Sequence, residues 1–135
     1  MGSNVPIFVA TETWLKSYIT DAQILIAKYV PFRCGRSHRT RGGTIFYIHE
    51  DIAVSNLITY DDTVGEVILC PIPTISIVFI SIYRPPRASL KSSSSTSHLI
   101  LIYLQKENIA TNIMGDFNFP KIDKGYSFLY TLSRP

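Results

Sequence analysis

Short apolar runs, most of them strand-length, alternate along this chain with polar, glycine-bearing or proline-bearing breaks. Val5 to Ala10 is the first run. It reads as a buried strand, since a short continuous apolar stretch suits an element covered on both faces. Thr11-Glu12-Thr13-Trp14-Leu15 leaves that strand. Asp21 to Val30 reads either as a turn of helix or as a loop leading into a strand. Arg33 to Arg41 is a polar, basic loop punctuated by Gly42-Gly43, after which Thr44 to His49 rises as a strand. Ile52 to Tyr60 and Glu66 to Ile72 are further predicted strands, with Asp61-Asp62 as the turn between them. Ile72-Pro73-Thr74 makes a second turn, because a proline cannot donate to a strand ladder.

Ile75 to Tyr83 carries the clearest strand pattern. It is β-branched or apolar at both parities, so both of its faces should be covered. Arg84-Pro85-Pro86 stops it. The serine-rich stretch Ser92 to Ser97 reads as a loop or the start of a helix, and Leu99 to Lys106 as a helix. Ala110 to Met114 is another short buried strand, ending at Gly115, and residues from Pro120 onward show no clear period. Strands dominate, with antiparallel neighbours in the middle and a helical crossover expected between Tyr83 and Thr111. That is an α/β layered pattern with a mixed sheet. No internal repeat is present.

Length and composition narrow the class. The 135 residues fit one domain. A hydrophobic content of 46% with 17% charged residues excludes disorder. No apolar stretch reaches the roughly 18 residues of a spanning helix. Met1-Gly2-Ser3-Asn4 lacks the charged-then-apolar pattern of a secretory signal, so the chain reads as intracellular and reduced. Cys34 and Cys70 form no CxxC pair and read as two small buried or half-buried thiols, and no Cys/His cluster has zinc-ligand spacing. A net charge of +3 favours polyanions only mildly.

Some positions carry candidate chemistry. Gly115-Asp116-Phe117-Asn118 sits just past a buried strand, where open sheets present reactive groups. Asp116 could take a proton from water or orient it, Asn118 could donate to a phosphate oxygen, and the glycine permits close approach. The same four residues also suit an Asx turn that merely closes the strand. Glu12 follows the first strand, and its carboxylate suits a hard divalent cation, although a lone glutamate is more often simply solvated. Tyr83 ends the most buried strand, where its hydroxyl could donate to a phosphoryl oxygen or stay at the rim of the core. Arg33, Arg36, Arg39 and Arg41, with His38, form a basic cluster that suits phosphate contacts or a solvated loop. Trp14 reads as core packing with its N–H satisfied. His49 and His98 have no partner in the sequence.

Four of these motifs occur in one order: Ala10-Thr11-Glu12-Thr13-Trp14-Leu15, Arg41-Gly42-Gly43 before a strand, Ile82-Tyr83-Arg84-Pro85-Pro86, and Ile113-Met114-Gly115-Asp116-Phe117-Asn118. In that order they resemble the endonuclease domain of non-LTR (LINE-type) retrotransposon polyproteins, a family similar to the apurinic endonucleases and DNase I. The resemblance runs from about Val5 to about Asp123. It implies a DNase I-like α/β sandwich of two packed mixed β-sheets with outer helices, the active site lying where loops of both sheets meet. It implies Glu12 as ligand of Mg2+ (or Mn2+), Tyr83 as a phosphate-facing donor, and Asp116 with Asn118 as the pair handling water and phosphate. Arg84 joins the arginine loop as an expected DNA contact. The implied reaction is phosphodiester hydrolysis, nicking a DNA target in the nucleus to supply a primer end for reverse transcription.

The pattern departs from the family in four places, two of them Gly35, where an acidic residue is expected in such a basic loop, and Lys124, where the family often has tryptophan. The family's first, asparagine-bearing strand has no counterpart, and nothing after Asn118 matches its Ser-Asp-His segment. The expectation is therefore a partial domain with weak or no nuclease activity. The alternatives are another phosphoesterase of the same superfamily, and a non-catalytic nucleic-acid-binding or pseudogene remnant. Loss of covering strands should also leave sheet edges open, which predicts self-association. Size-exclusion chromatography at micromolar concentration checks this: oligomers or poor recovery are expected, and a sharp monomeric peak would count against it.

Overall fold

β-branched and aromatic residues build eight strands in the computed structural model, which describes residues 5–35, 42–61, 65–86, 110–118 and 130–131. They are β1 (Ile7–Thr11), β2 (Tyr29–Cys34), β3 (Thr44–His49), β4 (Ile58–Asp61), β5 (Glu66–Ile72), β6 (Ile77–Tyr83), β7 (Ala110–Asp116) and β8 (Tyr130–Thr131). Short 3-10 turns occupy Asp21–Ile24 and Pro73–Ile75. The expected Ile52–Tyr60 strand begins only at Ile58, and β2 takes up Arg33, which had been assigned to the basic loop. The expected helix at 99–106, the serine-rich stretch and the arginines at 36, 39 and 41 lie outside the described residues.

The strands form two sheets, one of three strands in the order β1-β3-β2 and one of five in the order β4-β5-β6-β7-β8. Only the larger is mixed. All pairs are antiparallel except β6–β7, which run parallel and therefore need a crossover between Tyr83 and Ala110. The expectation of two mixed sheets is corrected for the smaller one. Its strands are antiparallel because β1 and β2 each pair head-to-tail with β3.

Strand alternation explains how the sheets meet. Even positions of β5 and odd positions of β6 share one face, since Ile68 pairs with Ser81 and Cys70 with Phe79. Phe46, Ile48 and Cys34 of the small sheet pack there against Ile68, Cys70 and Ile72, with Ile7, Val9, Phe32, Phe79 and Met114 around them. The opposite parity of the large sheet forms a second apolar cluster from Val67, Leu69, Val78 and Ile80. Both faces of β6 are thus covered, as its unbroken apolar pattern requires. On the outer face of the small sheet, the Tyr47 hydroxyl donates to the carbonyl of Ile24, and Phe8 stacks on the Tyr47 ring. Segment 12–28 is tied down in this way.

Between β6 and β7 the backbones come very close at Gly115. A Cβ there would stand 1.9 Å from the Ile82 carbonyl oxygen, and φ is +141°. Only glycine meets both conditions.

Cys34 and Cys70 are free and buried, as the sequence suggested. Burial raises both thiols from the ordinary 9.0, Cys70 to about 11 and Cys34 to about 12, the nearby Glu66 and Asp61 carboxylates adding to the effect on Cys34. The folded state therefore keeps protons that the unfolded chain releases above about pH 9, and the stability this contributes fades as pH rises from there towards 12. Both thiols should react with a disulfide reagent at pH 8 at least about a hundredfold more slowly in the native chain than in urea. Equal rates would show that the interface between the sheets is open.

Candidate active site

The C-terminal ends of β1, β6 and β7 and the starts of β3 and β5 meet at one end of the two sheets. Register fixes which side chains gather there. Thr11 pairs with Thr44, Glu66 with Tyr83, and Tyr83 with Asp116. Glu66, Tyr83 and Asp116 fall on the face that packs against the small sheet.

Three polar links join the sheets at this end. The Gly43 N–H donates to Glu66 Oε2 at 2.7 Å, and Glu66 has no exposed surface. Thr44 Oγ1 and Ser81 Oγ lie 2.7 Å apart, both buried. The Tyr83 hydroxyl donates to Glu12 Oε1 at 2.9 Å across 71 positions of sequence. Buried polar groups of this kind are costly unless hydrogen-bonded, so the pairs fix how the sheets sit.

Glu12 is presented by a strained loop. Glu12 and Trp14 both have φ +52°, a conformation that costs a non-glycine residue about 1–3 kcal/mol. The loop is held there by two backbone bonds, Thr13 N–H to Gly43 O and Trp14 N–H to Gly42 O. A Cβ on Gly43 would meet Thr13 Oγ1 at 2.4 Å, so the glycine pair is what lets this loop lie against β3. Glu12 is exposed, Asp116 half-buried and Tyr83 only 3% exposed.

The ends of β6 and β7 are clamped to one another. Arg84 N–H donates to the Asp116 carbonyl at 2.8 Å, and its guanidinium donates to the Asn118 carbonyl at 2.8 Å. Asn118 Nδ2 returns a bond to the Arg84 carbonyl at 2.8 Å. Asn118 N–H donates to Asp116 Oδ1 at 3.2 Å, with Asn118 at φ +43°. The strand-end Asx turn is therefore present: it occupies one Asp116 oxygen and the Asn118 backbone N–H, while one donor of the Asn118 side-chain amide goes to the Arg84 carbonyl.

The structure brings Glu12 and Tyr83 together and sets Asp116 beside Tyr83 in register. One sequence expectation needs correction. Trp14 is 51% exposed rather than core-packed, because the loop bonds turn its backbone away from the sheet interior. Arg84, expected as a DNA contact, is 5% exposed and engaged in the clamp. Arg33 pairs with Asp21 at 3.0 Å and donates to the Ile19 carbonyl, so it fastens segment 12–28 instead of offering a free cation. The Tyr83 hydroxyl, expected as a phosphate-facing donor, donates to Glu12. Glu66, Thr44 and Ser81 were not singled out from sequence. The available signal was a charge opening an otherwise apolar strand, Glu66-Val67-Ile68-Leu69.

Among the described residues no three His, Cys, Asp or Glu side chains gather as a ready metal cluster. Mg2+ commonly takes one or two carboxylates and fills its shell with water and substrate phosphate, so an exposed Glu12 suits that smaller donor set. No family model matches the chain, and no curated protein matches it significantly.

The Glu12–Tyr83 bond predicts a coupling. Tyr83→Phe should cost about 1 kcal/mol in urea unfolding, and a double-mutant cycle with Glu12→Ala should return about 0.5–1.5 kcal/mol of interaction. Strict additivity would mean that the two side chains do not meet.

Proposed function

We propose that this chain carries the Glu12–Tyr83–Asp116 part of the active site of a Mg2+-dependent DNA endonuclease of the non-LTR retrotransposon kind. One observation supports the reading above the others. Motifs from three distant parts of the sequence, in the order that family has them, converge at one end of the paired sheets. The two-sheet architecture agrees with such a domain at the level of its layers. The DNase I-like sandwich with outer helices belongs to the proposal.

In this reading Glu12 holds Mg2+, whose charge would offset that on the scissile phosphate and leaving oxygen. Tyr83 acts through Glu12: its hydroxyl keeps the carboxylate in place. Asp116, half-buried at the mouth, accepts a proton from water as the oxygen attacks phosphorus and the phosphorus–leaving-oxygen bond breaks. Asn118 sets the backbone behind Asp116 and is the amide that would donate to the phosphate. Arg36, Arg39 and Arg41 meet DNA phosphates, as a basic loop can.

The weak nuclease activity expected from the sequence stays part of this proposal, so nicking should be slow. Loss of one acid–base group costs about 10²–10⁴ in rate. A specific observation also favours a second reading, a nucleic-acid-binding remnant without catalysis. Tyr83, Asp116 and Asn118 already bond within the protein.

Plasmid nicking in Mg2+ separates these readings. Slow nicking is expected, falling to the buffer blank in Glu12→Ala and in Asp116→Ala. Robust nicking lost in both variants would keep the endonuclease and overturn its weakness. Nicking that survives both substitutions would overturn the endonuclease reading, and salt-dependent DNA binding with no nicking at all would favour the remnant.

A further inference from the structure

Among the described residues the two sheets end in the edge strands β1 and β2 on one side and β4 and β8 on the other. An edge presents unpaired N–H and C=O groups, and proteins blunt most edges with charge, proline, brevity or cover. Register shows which groups each edge presents. His49 N–H donates to the Pro6 carbonyl at 2.9 Å, one step beyond the Ile7–Ile48 pair. Bonded and non-bonded pairs alternate in an antiparallel ladder. Phe8 and Ala10 therefore bond β3, while the N–H and C=O groups of Ile7, Val9 and Thr11 point away from it. By the same alternation, the bond from Glu50 N–H to the Lys28 carbonyl turns Tyr29, Pro31 and Arg33 outward on β2.

Three of the edges carry protection. On β2 the Tyr29 N–H turns back to the Ile26 carbonyl, Pro31 has no N–H, and Arg33 brings a charge. β4 has four residues and ends in Asp61, and its Tyr60 carbonyl accepts from Cys34 Sγ at 3.5 Å. β8 has two residues. β1 carries no such device: Ile7–Thr11 holds neither charge nor proline and is half-buried throughout. Its outward groups meet no partner among the described residues. The Val5 carbonyl is taken by the Tyr29 hydroxyl, so the open stretch runs from Ile7 to Thr11.

We propose that β1 pairs edge to edge with β1 of a second copy of this chain, antiparallel about a two-fold axis at Val9. The outward positions are symmetric about Val9, so Val9 meets Val9 and Ile7 meets the copy's Thr11, and every outward N–H finds an outward C=O. Phe8 stands beside the copy's Ala10, large against small, as cross-strand packing favours. The two Glu12 carboxylates fall at opposite ends, about 20 Å apart at roughly 3.4 Å per residue. Self-pairing consumes the edge it uses, and the protected edges offer no second one, so the assembly closes as a dimer and does not grow. An edge of five residues makes a weak dimer that follows concentration. This inference stands apart from the endonuclease reading.

Sedimentation equilibrium of the full chain from about 1 to 200 µM should show monomer and dimer and nothing larger. Amide hydrogen exchange gives the signature of this edge. Ile7, Val9 and Thr11 should gain at least about tenfold protection as concentration rises, whereas Phe8 and Ala10 stay protected throughout. Ala10→Lys puts a charge on the edge and should weaken the dimer at least about tenfold with the strand circular dichroism intact. Val9→Pro removes an outward N–H and no bond to β3, and should act likewise. A monomer at every concentration would overturn the proposal. So would a dimer whose Ile7, Val9 and Thr11 amides stay unprotected, which would place the contact on another face. Protection already complete in the monomer would show the edge covered by the chain itself, and assemblies beyond the dimer would show an open one; either overturns the pairing. If neither variant folds, the concentration dependence of exchange in the wild-type chain decides.

Discussion

A carboxylate buried without surface must be met by donors, and this requirement at Glu66 orders the end of the molecule where the candidate site lies. Glu66 opens β5 on the face that meets the small sheet, and the Gly43 N–H answers one of its two oxygens, Oε2. To do so, Gly43 takes φ +95° and leaves no room for a side chain against Thr13. The Gly42 and Gly43 carbonyls then hold the backbone of Trp14 and Thr13, which carries Glu12 to the Tyr83 hydroxyl. One buried charge thus reaches an exposed one through a continuous series of short bonds. Removing a partner from such a series costs more than the bond itself, because a buried polar group is left unmet.

The second arm of the site depends on backbone proximity instead of charge. The parallel pairing of β6 and β7 brings Tyr83 beside Asp116, and the bare Gly115 lets the strands close. Arg84 and Asn118 then lock the strand ends by exchanging bonds with one another's carbonyls. Glycine, arginine and asparagine of these motifs serve the architecture directly. The reactive groups of the proposal are the fewer side chains this framework holds at its mouth, Glu12 and Asp116.

Much of the strand content was legible, and the reason is physical. Runs such as Thr44–His49, Glu66–Ile72 and Ile77–Tyr83 are buried on both faces, and only β-branched and aromatic residues at both parities satisfy that. Ile52–Tyr60 misled because its apolar residues pack as an irregular segment against the core: Ile52, Val54 and Leu57 touch it before the strand begins. The Glu12, Tyr83 and Asp116 positions were legible from motif order. The link through Glu66 was not, because a glutamate's burial depends on a donor supplied from another sheet. Trp14 was misjudged for a similar reason: its exposure is decided by the loop it sits in, which is not written in local pattern.

The central proposal is that Glu12 holds a divalent cation at the joint of the two sheets, at the end where Tyr83 and Asp116 pair. Paramagnetic broadening by Mn2+ in an amide NMR spectrum tests it most directly. At substoichiometric Mn2+ the signals of Glu12, Thr13, Tyr83, Arg84 and Asp116 should broaden first, excess Mg2+ should restore them, and Glu12→Gln should abolish the effect. Broadening centred elsewhere, or broadening of these signals that persists in Glu12→Gln, would contradict the account.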